Sequence, residues 1–187
     1  MNLAFLLSAA TLAIASHDDL SRAAVPNCPG RQVSPAEQLC IFKDFVKLLY
    51  VKKDIPAAFQ NHVAESYIQH NPMFKSGRQI AQDGLAKYIP PINFTVAKIG
   101  LSDNTGWVMV KQVTKEQQAE GKGMYTAVVD VLRMEGSCIV EHWDVLQPRP
   151  AAASNPLAMF DQQRFGDVLG GCDGKTRYKD KHMNDGW

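Results

Sequence analysis

Between Gly123 and Gln147 the chain reads GMYTAVVDVLRMEGSCIVEHWDVLQ, a pattern that admits few structures. Tyr125 to Arg133 is rich in β-branched and aromatic residues, which suit a pleated, half-buried surface, and Cys138 to Leu146 forms a second such run. Glu135-Gly136-Ser137 separates them, and Gly136 supplies the positive φ that a hairpin turn often needs. Side chains alternate faces along a strand. Val128, Asp130 and Leu132 therefore share one face of the first strand, and His142, Asp144 and Leu146 share one face of the second. Each of two paired strands thus carries an acid among apolar neighbours. A carboxylate on a buried face must be paired, hydrogen-bonded or functional.

The rest of the chain arranges itself before this hairpin. Ser34 is a good N-cap, Pro35 fits the first helical position and Glu37 completes a capping box. Leu39, Phe42, Phe45, Val46 and Leu49 then recur at helical spacing. Asp54 caps a second, short helix from Pro56 to His62. Ser66 to Pro72 reads as a short strand running into a turn, because Pro72 has no N–H to extend a ladder. A helix over Gly77–Tyr88 ends before Pro90-Pro91, and strands over Ile92–Leu101 and Trp107–Lys115 flank a turn at Asp103–Gly106. Glu116 to Lys122 is polar and reads as a hairpin end. Helices first and an antiparallel run afterwards predict an α+β fold, with helices on one face of a curved sheet.

The 187 residues fit one domain, over 34–160, with tails, and a hydrophobic content of 45% is ample for its core. Pro148 to Ala153 reads as a linker, and residues 161–187 as a loosely ordered, polar, Gly-rich tail. A net charge of +1, with no basic stripe and no Gly-rich phosphate loop, gives no sign of a nucleic-acid partner.

Leu3 to Ala15 is an uncharged apolar run ending in the small-x-small pattern Ala13-Ile14-Ala15. It reads as a signal peptide, residues 1–15, with a short membrane anchor as the alternative. Secretion is the expectation, with no membrane attachment after cleavage, and 16–33 follow as an extended leader. Cys28, Cys40, Cys138 and Cys172 then make one or two disulfides plausible. Among the pairings a Cys28–Cys172 staple between the tails is preferred, against Cys40 as a buried free thiol. Asn93-Phe94-Thr95 is a glycosylation sequon, usable if the chain is secreted.

The helix-helix-strand-helix-sheet order, the segment Tyr67-Ile68-Gln69-His70-Asn71-Pro72, and Asp130-Val131-Leu132-Arg133 leading to Ile139–Val145 together resemble SnoaL-like proteins of the nuclear transport factor 2-like superfamily. Asn155–Phe160 resembles a short apolar tail motif of one branch. The resemblance implies a cone-shaped sheet with helices closing an apolar pocket, often in a homodimer. The family's polyketide cyclases close rings by intramolecular aldol chemistry without metal or cofactor. The resemblance puts their general acid/base at Asp144 and a second pocket-facing group at Asp130, where the cyclases often carry His. The fold also hosts isomerases, dehydratases, epoxide hydrolases and pure binding proteins.

The candidate catalytic set is Asp144 as base, with Asp130 and His70 in support. The structural alternatives are a carboxylate tied to Arg133, His142 or a backbone amide for Asp144, an ion pair with Arg for Asp130, and a turn-bound imidazole for His70. Tyr67, His142 and Tyr125 are the candidate substrate-binding residues. Trp143 alternates with Asp144 and suits packing or a dimer interface. No metal site is expected, since His62 and His70 lie eight apart without a carboxylate at ligand spacing. The functional expectation is a cofactor-free lyase, isomerase or cyclase acting on a small apolar carbonyl compound. The alternatives are a binding module and a dimerising structural protein.

Overall fold

The computed structural model describes residues 26–120, 123–161 and 164–172, so the expected signal peptide and the end of the tail lie outside the described residues. The first helix, α1, spans Pro35–Val46, with Ser34 Oγ accepting from the Glu37 N–H at 3.2 Å. Glu37 completes no capping box with Ser34 here; its carboxylate accepts instead from Arg31. The chain continues through a π-helical turn, Lys47–Lys52, which ends on Lys53 in the left-handed conformation. Helix α2, Ile55–His62, is capped by Asp54 as expected.

Strand β1 spans Val63–Gln69, starting three residues earlier than predicted because Val63 is buried directly after the helix. Helix α3 is Arg78–Tyr88, and β2 (Asn93–Ser102) and β3 (Thr105–Val113) form a hairpin. The polar stretch expected as a hairpin end contains a short helix, α4, Lys115–Glu120. Its start is a reciprocal capping box, in which Thr114 Oγ1 accepts from Gln117 N–H and Gln117 Oε1 from Thr114 N–H. Strands β4 (Thr126–Glu135) and β5 (Cys138–Pro148) complete the fold.

The five strands lie in the order β1-β5-β4-β3-β2. The sheet is mixed, not wholly antiparallel, because β1 runs parallel to β5. Strand alternation says which face a side chain takes but not which strand lies beside it, and the whole of α3 to β4 separates this parallel pair. The architecture is α+β, with α1, α2 and α3 against the inner face; the main core includes Phe42, Phe45, Phe59, Val108 and Ile139. Gly106 lets Phe42 lie flat on β3, since a Cβ there would come within 2.8 Å of the ring.

The described part of the leader, 26–33, is built into the fold. Ser137 Oγ donates to Asn27 O and accepts from Arg31 N–H, while Ser137 N–H donates to Arg31 O. Gly136 has φ 57°, and a Cβ on it would meet Arg31 O at 2.0 Å, so both the turn and the strap over it require glycine. This strap brings Cys28 to Cys138, and Cys40 of α1 bonds Cys172. The preferred Cys28–Cys172 staple and the free Cys40 thiol are therefore both corrected. Spacing could not reveal that the leader crosses the β4–β5 turn.

A second cluster covers part of the outer face. Phe160, with Met159 and Phe165, packs on Tyr125, Ala127 and Ala97. Arg149, in the expected linker, holds this return with a paired interaction to Asp161.

Candidate functional site

The inner face of the sheet and the helices enclose a cavity of about 610 Å³, walled by apolar side chains that include Phe45, Leu49, Phe59, Phe74 and Phe94. Polar groups converge at one part of this wall. Asp130 and Asp144 stand opposite each other on β4 and β5, and His142 is opposite Leu132 one row further along. The register shift between Arg133 and Met134 falls before His142, so His142 keeps the parity of Asp144 and Leu146 and faces inward. Gln69 of β1 lies beside His142 in the parallel pair.

Hydrogen bonds join these groups. Asp130, only 5% exposed, accepts a short hydrogen bond from Tyr50 O–H through Oδ2, and its Oδ1 is 2.8 Å from His142 Nε2. His142 Nδ1 lies 2.7 Å from Gln69 Oε1. Asp144 Oδ2 accepts from Asn71 Nδ2. The Tyr67 phenolic oxygen, Oη, accepts from Gln69 Nε2 at 3.3 Å, which leaves its own hydrogen to direct elsewhere. Burial, with the Asp130 charge next, pushes the Tyr50 phenol well above its ordinary range. Burial, followed by Asp130 and Asp144, does the same to Tyr67. Both phenols stay protonated, and Tyr50 donates to Asp130.

Asp130, Asp144, His142 and Tyr67 line the cavity together. The partners differ from the structural alternatives set out above. Asp144 is held by Asn71, and Asp130 by Tyr50 and His142, while Arg133 pairs with Glu141 and Glu135. His70 does not join the set. Its Nε2 lies 2.8 Å from Glu141, and its ring stacks on Trp143 at 4.6 Å, on the sheet side away from the cavity. Hydrogen bonds from His70 and Arg133 hold the Glu141 carboxyl below its ordinary range. The expected supporting role of His70 is thus corrected, because His70 and Asp144 sit at opposite parity. Tyr125 is also outside the cavity: its hydroxyl is bonded to Ala158 O, Asp161 and Phe160 N–H in the outer cluster.

Three members of the site were not singled out from sequence. Tyr50 follows Val46 by four residues on the buried helix face, and the π-helical turn carries its hydroxyl to Asp130. Gln69 shares the inward parity of Tyr67, two residues along β1. Asn71 lies in the turn that Pro72 announced.

Asp130, His142 and Asp144 offer ligand atoms within 4.8 Å of one another, a grouping without short sequence spacing because it comes from two strands. In this arrangement Asp130 Oδ1 and His142 Nε2 are 2.8 Å apart and face each other. A tetrahedral zinc ion bound to both at about 2.0–2.2 Å would instead hold them roughly 3.3–3.6 Å apart. The geometry is that of a hydrogen-bonded pair.

No protein-family model and no curated protein sequence matches the chain. Solved structures do. A putative ketosteroid isomerase from Kribbella flavida DSM 17836 superposes with a TM-score of 0.52 at 12% identity, over 70% of this chain and 96% of that one. An NTF2-like protein of unknown function from Mesorhizobium loti gives a TM-score of 0.50 at 19% identity, over 63% of this chain and 97% of that one.

Proposed function

The chain has the NTF2-like fold, and on that premise we propose that it is a cofactor-free acid–base enzyme acting on a small apolar carbonyl compound. One observation carries the reading: two carboxylates and a histidine gather at one place in a largely apolar cavity. Apolar walls exclude water and strengthen every electrostatic interaction inside them. Asp144 is the base, within the cavity and oriented by Asn71. Tyr67 offers an O–H to the oxygen of the enolate that forms when a neighbouring carbon loses its proton. Isomerisation, dehydration and aldol ring closure all begin from that enolate. The putative ketosteroid isomerase of the same fold is in keeping with the isomerase class.

The protein acts outside the reducing cytosol in this reading. Its two disulfides support that, as does the apolar run that begins the chain. Among the described residues no helix is long and apolar enough to cross a membrane.

The aromatic walls also favour a second reading, carriage of an apolar ligand without chemistry. Mass spectrometry of small molecules retained by the purified protein separates the two. A retained compound with a carbonyl and an adjacent C–H supports catalysis, and a compound lacking any acidic C–H supports carriage.

A further inference from the structure

Proton positions in the site follow from two donors that admit no ambiguity, both backbone N–H groups. Asn71 N–H donates to Gln69 Oε1 at 2.9 Å, so the carbonyl end of that amide occupies this position. The same Oε1 is 2.7 Å from His142 Nδ1. A carbonyl oxygen only accepts, so Nδ1 must carry a hydrogen. At the other side of the ring, Nε2 faces Asp130 Oδ1 at 2.8 Å, while Tyr50 O–H donates to Oδ2. One proton lies between Nε2 and Oδ1, whether written as imidazolium and carboxylate or as imidazole and carboxylic acid. The next amide is pinned in the same way. Met73 N–H donates to Asn71 Oδ1 at 2.7 Å, which turns the Asn71 NH₂ group toward Asp144 Oδ2. The end of β1 and the turn after it therefore present an acceptor to His142 and a donor to Asp144.

We propose that Gln69 is a positioning residue that fixes His142 with its hydrogen on Nδ1, making the proton shared by His142 and Asp130 the acid of the site and Asp144 its base. The inference rests on the acid–base reading above and divides its roles. Asp144 takes a proton from the carbon beside the carbonyl, and the C–H electron pair moves to form the enolate. The enolate oxygen takes the shared proton, leaving neutral His142 with a bare Nε2 beside the Asp130 carboxylate. On the return, Nε2 recovers that proton from the enol while Asp144 delivers its own to carbon. No electrons leave the substrate, and each proton is accounted for. Because Gln69 occupies Nδ1, the nitrogen that exchanges is always the one beside Asp130.

The test is a long-range ¹H–¹⁵N correlation spectrum of the histidine rings in the resting protein at neutral pH, with His142 assigned by its absence in His142→Gln. The expected result is a hydrogen-bearing Nδ1, and a bare Nδ1 overturns the proposal. Gln69→Glu keeps an acceptor at that position and should keep the Nδ1 hydrogen. Gln69→Met removes it and should reveal a population with bare Nδ1; a folded Gln69→Met protein with unchanged ring signals also overturns the proposal. Where Gln69→Met fails to fold, the wild-type and Gln69→Glu spectra decide. The spectrum needs no substrate, so it stands or falls separately from the reaction assigned above.

Discussion

Asp130 and Asp144 occupy opposed positions on β4 and β5, fourteen residues apart in the chain, yet their hydrogen-bond partners come from different parts of the fold. Asp130 is bonded to Tyr50 from the helical side and to His142, and Asp144 to the turn after β1. Two like groups in unlike settings are suited to unlike roles. The difference sets the first prediction. Asp130→Asn leaves a buried network without its anion and should cost about 3–5 kcal/mol of stability. Tyr50→Phe removes a hydrogen bond to a charged group and should cost about 1.5–3 kcal/mol. Asp144→Asn, with one oriented partner, should melt close to wild type. Urea unfolding of the three variants checks this ordering, and a larger loss for Asp144→Asn than for Asp130→Asn would contradict it.

His62 gives the pH dependence. It is 1% exposed, with Nδ1 near Asn27 Nδ2 and Nε2 near Asp44. Burial lowers its protonation range, outweighing the opposing pull of Asp44. The folded state therefore binds fewer protons than the unfolded state wherever the unfolded imidazole is charged. The stability from this group is present above the ordinary imidazole range and declines as the pH falls through the lowered one. Unfolding midpoints measured from pH 7.5 down to pH 5 should fall, and His62→Gln should flatten that slope. An equal slope in both proteins would assign the pH dependence to other groups.

The Cys28–Cys138 bond closes a separation of 110 residues and ties the leader strap to the start of β5. Replacing both cysteines by serine should cost about 2–5 kcal/mol, in line with loss of a native disulfide. Thermal melts of the double variant and of reduced wild type provide the measurement. A melting temperature unchanged by the double substitution would show that the Ser137 hydrogen bonds hold the strap without it.

The outer face is only partly covered. Phe160 and its neighbours shield Tyr125 and Ala127, whereas Trp107, Trp143 and Val145 remain 40%, 38% and 68% exposed. Exposed apolar patches of this kind mark association sites. A dimer through this open part of the sheet is expected, and Val145→Lys should weaken it. Light scattering that returns a monomer mass at micromolar concentration would contradict the expectation.

Much of this was legible in the chain because its signals are local. Ser34 and Asp54 marked two helix starts, Gly136 marked the hairpin, and two-residue alternation placed Asp130, His142 and Asp144 on one face. Non-local features were not legible. Nothing local shows that His70 faces away from Asp144, stacks on Trp143 and reaches Glu141, because that follows from the pairing of β1 with β5. Tyr125 read as a site residue because a strand tyrosine gives no hint that Met159, Phe160 and Phe165 return to cover it. The Tyr50–Asp130 contact spans eighty residues and depends on the π-helical turn. The capping box at Thr114 was a local signal within a stretch that read only as polar.

The role proposed for Asp144 is to move a proton to and from carbon inside this cavity. The most direct measurement is deuterium uptake, from D₂O, at the carbon beside the carbonyl of a compound retained by the protein. Wild type should label that position. Asp144→Asn, which keeps the shape but removes the basic oxygen, should label it about 10²–10⁴-fold more slowly. Labelling at the same rate by wild type and Asp144→Asn, or no labelling by either, would contradict the account.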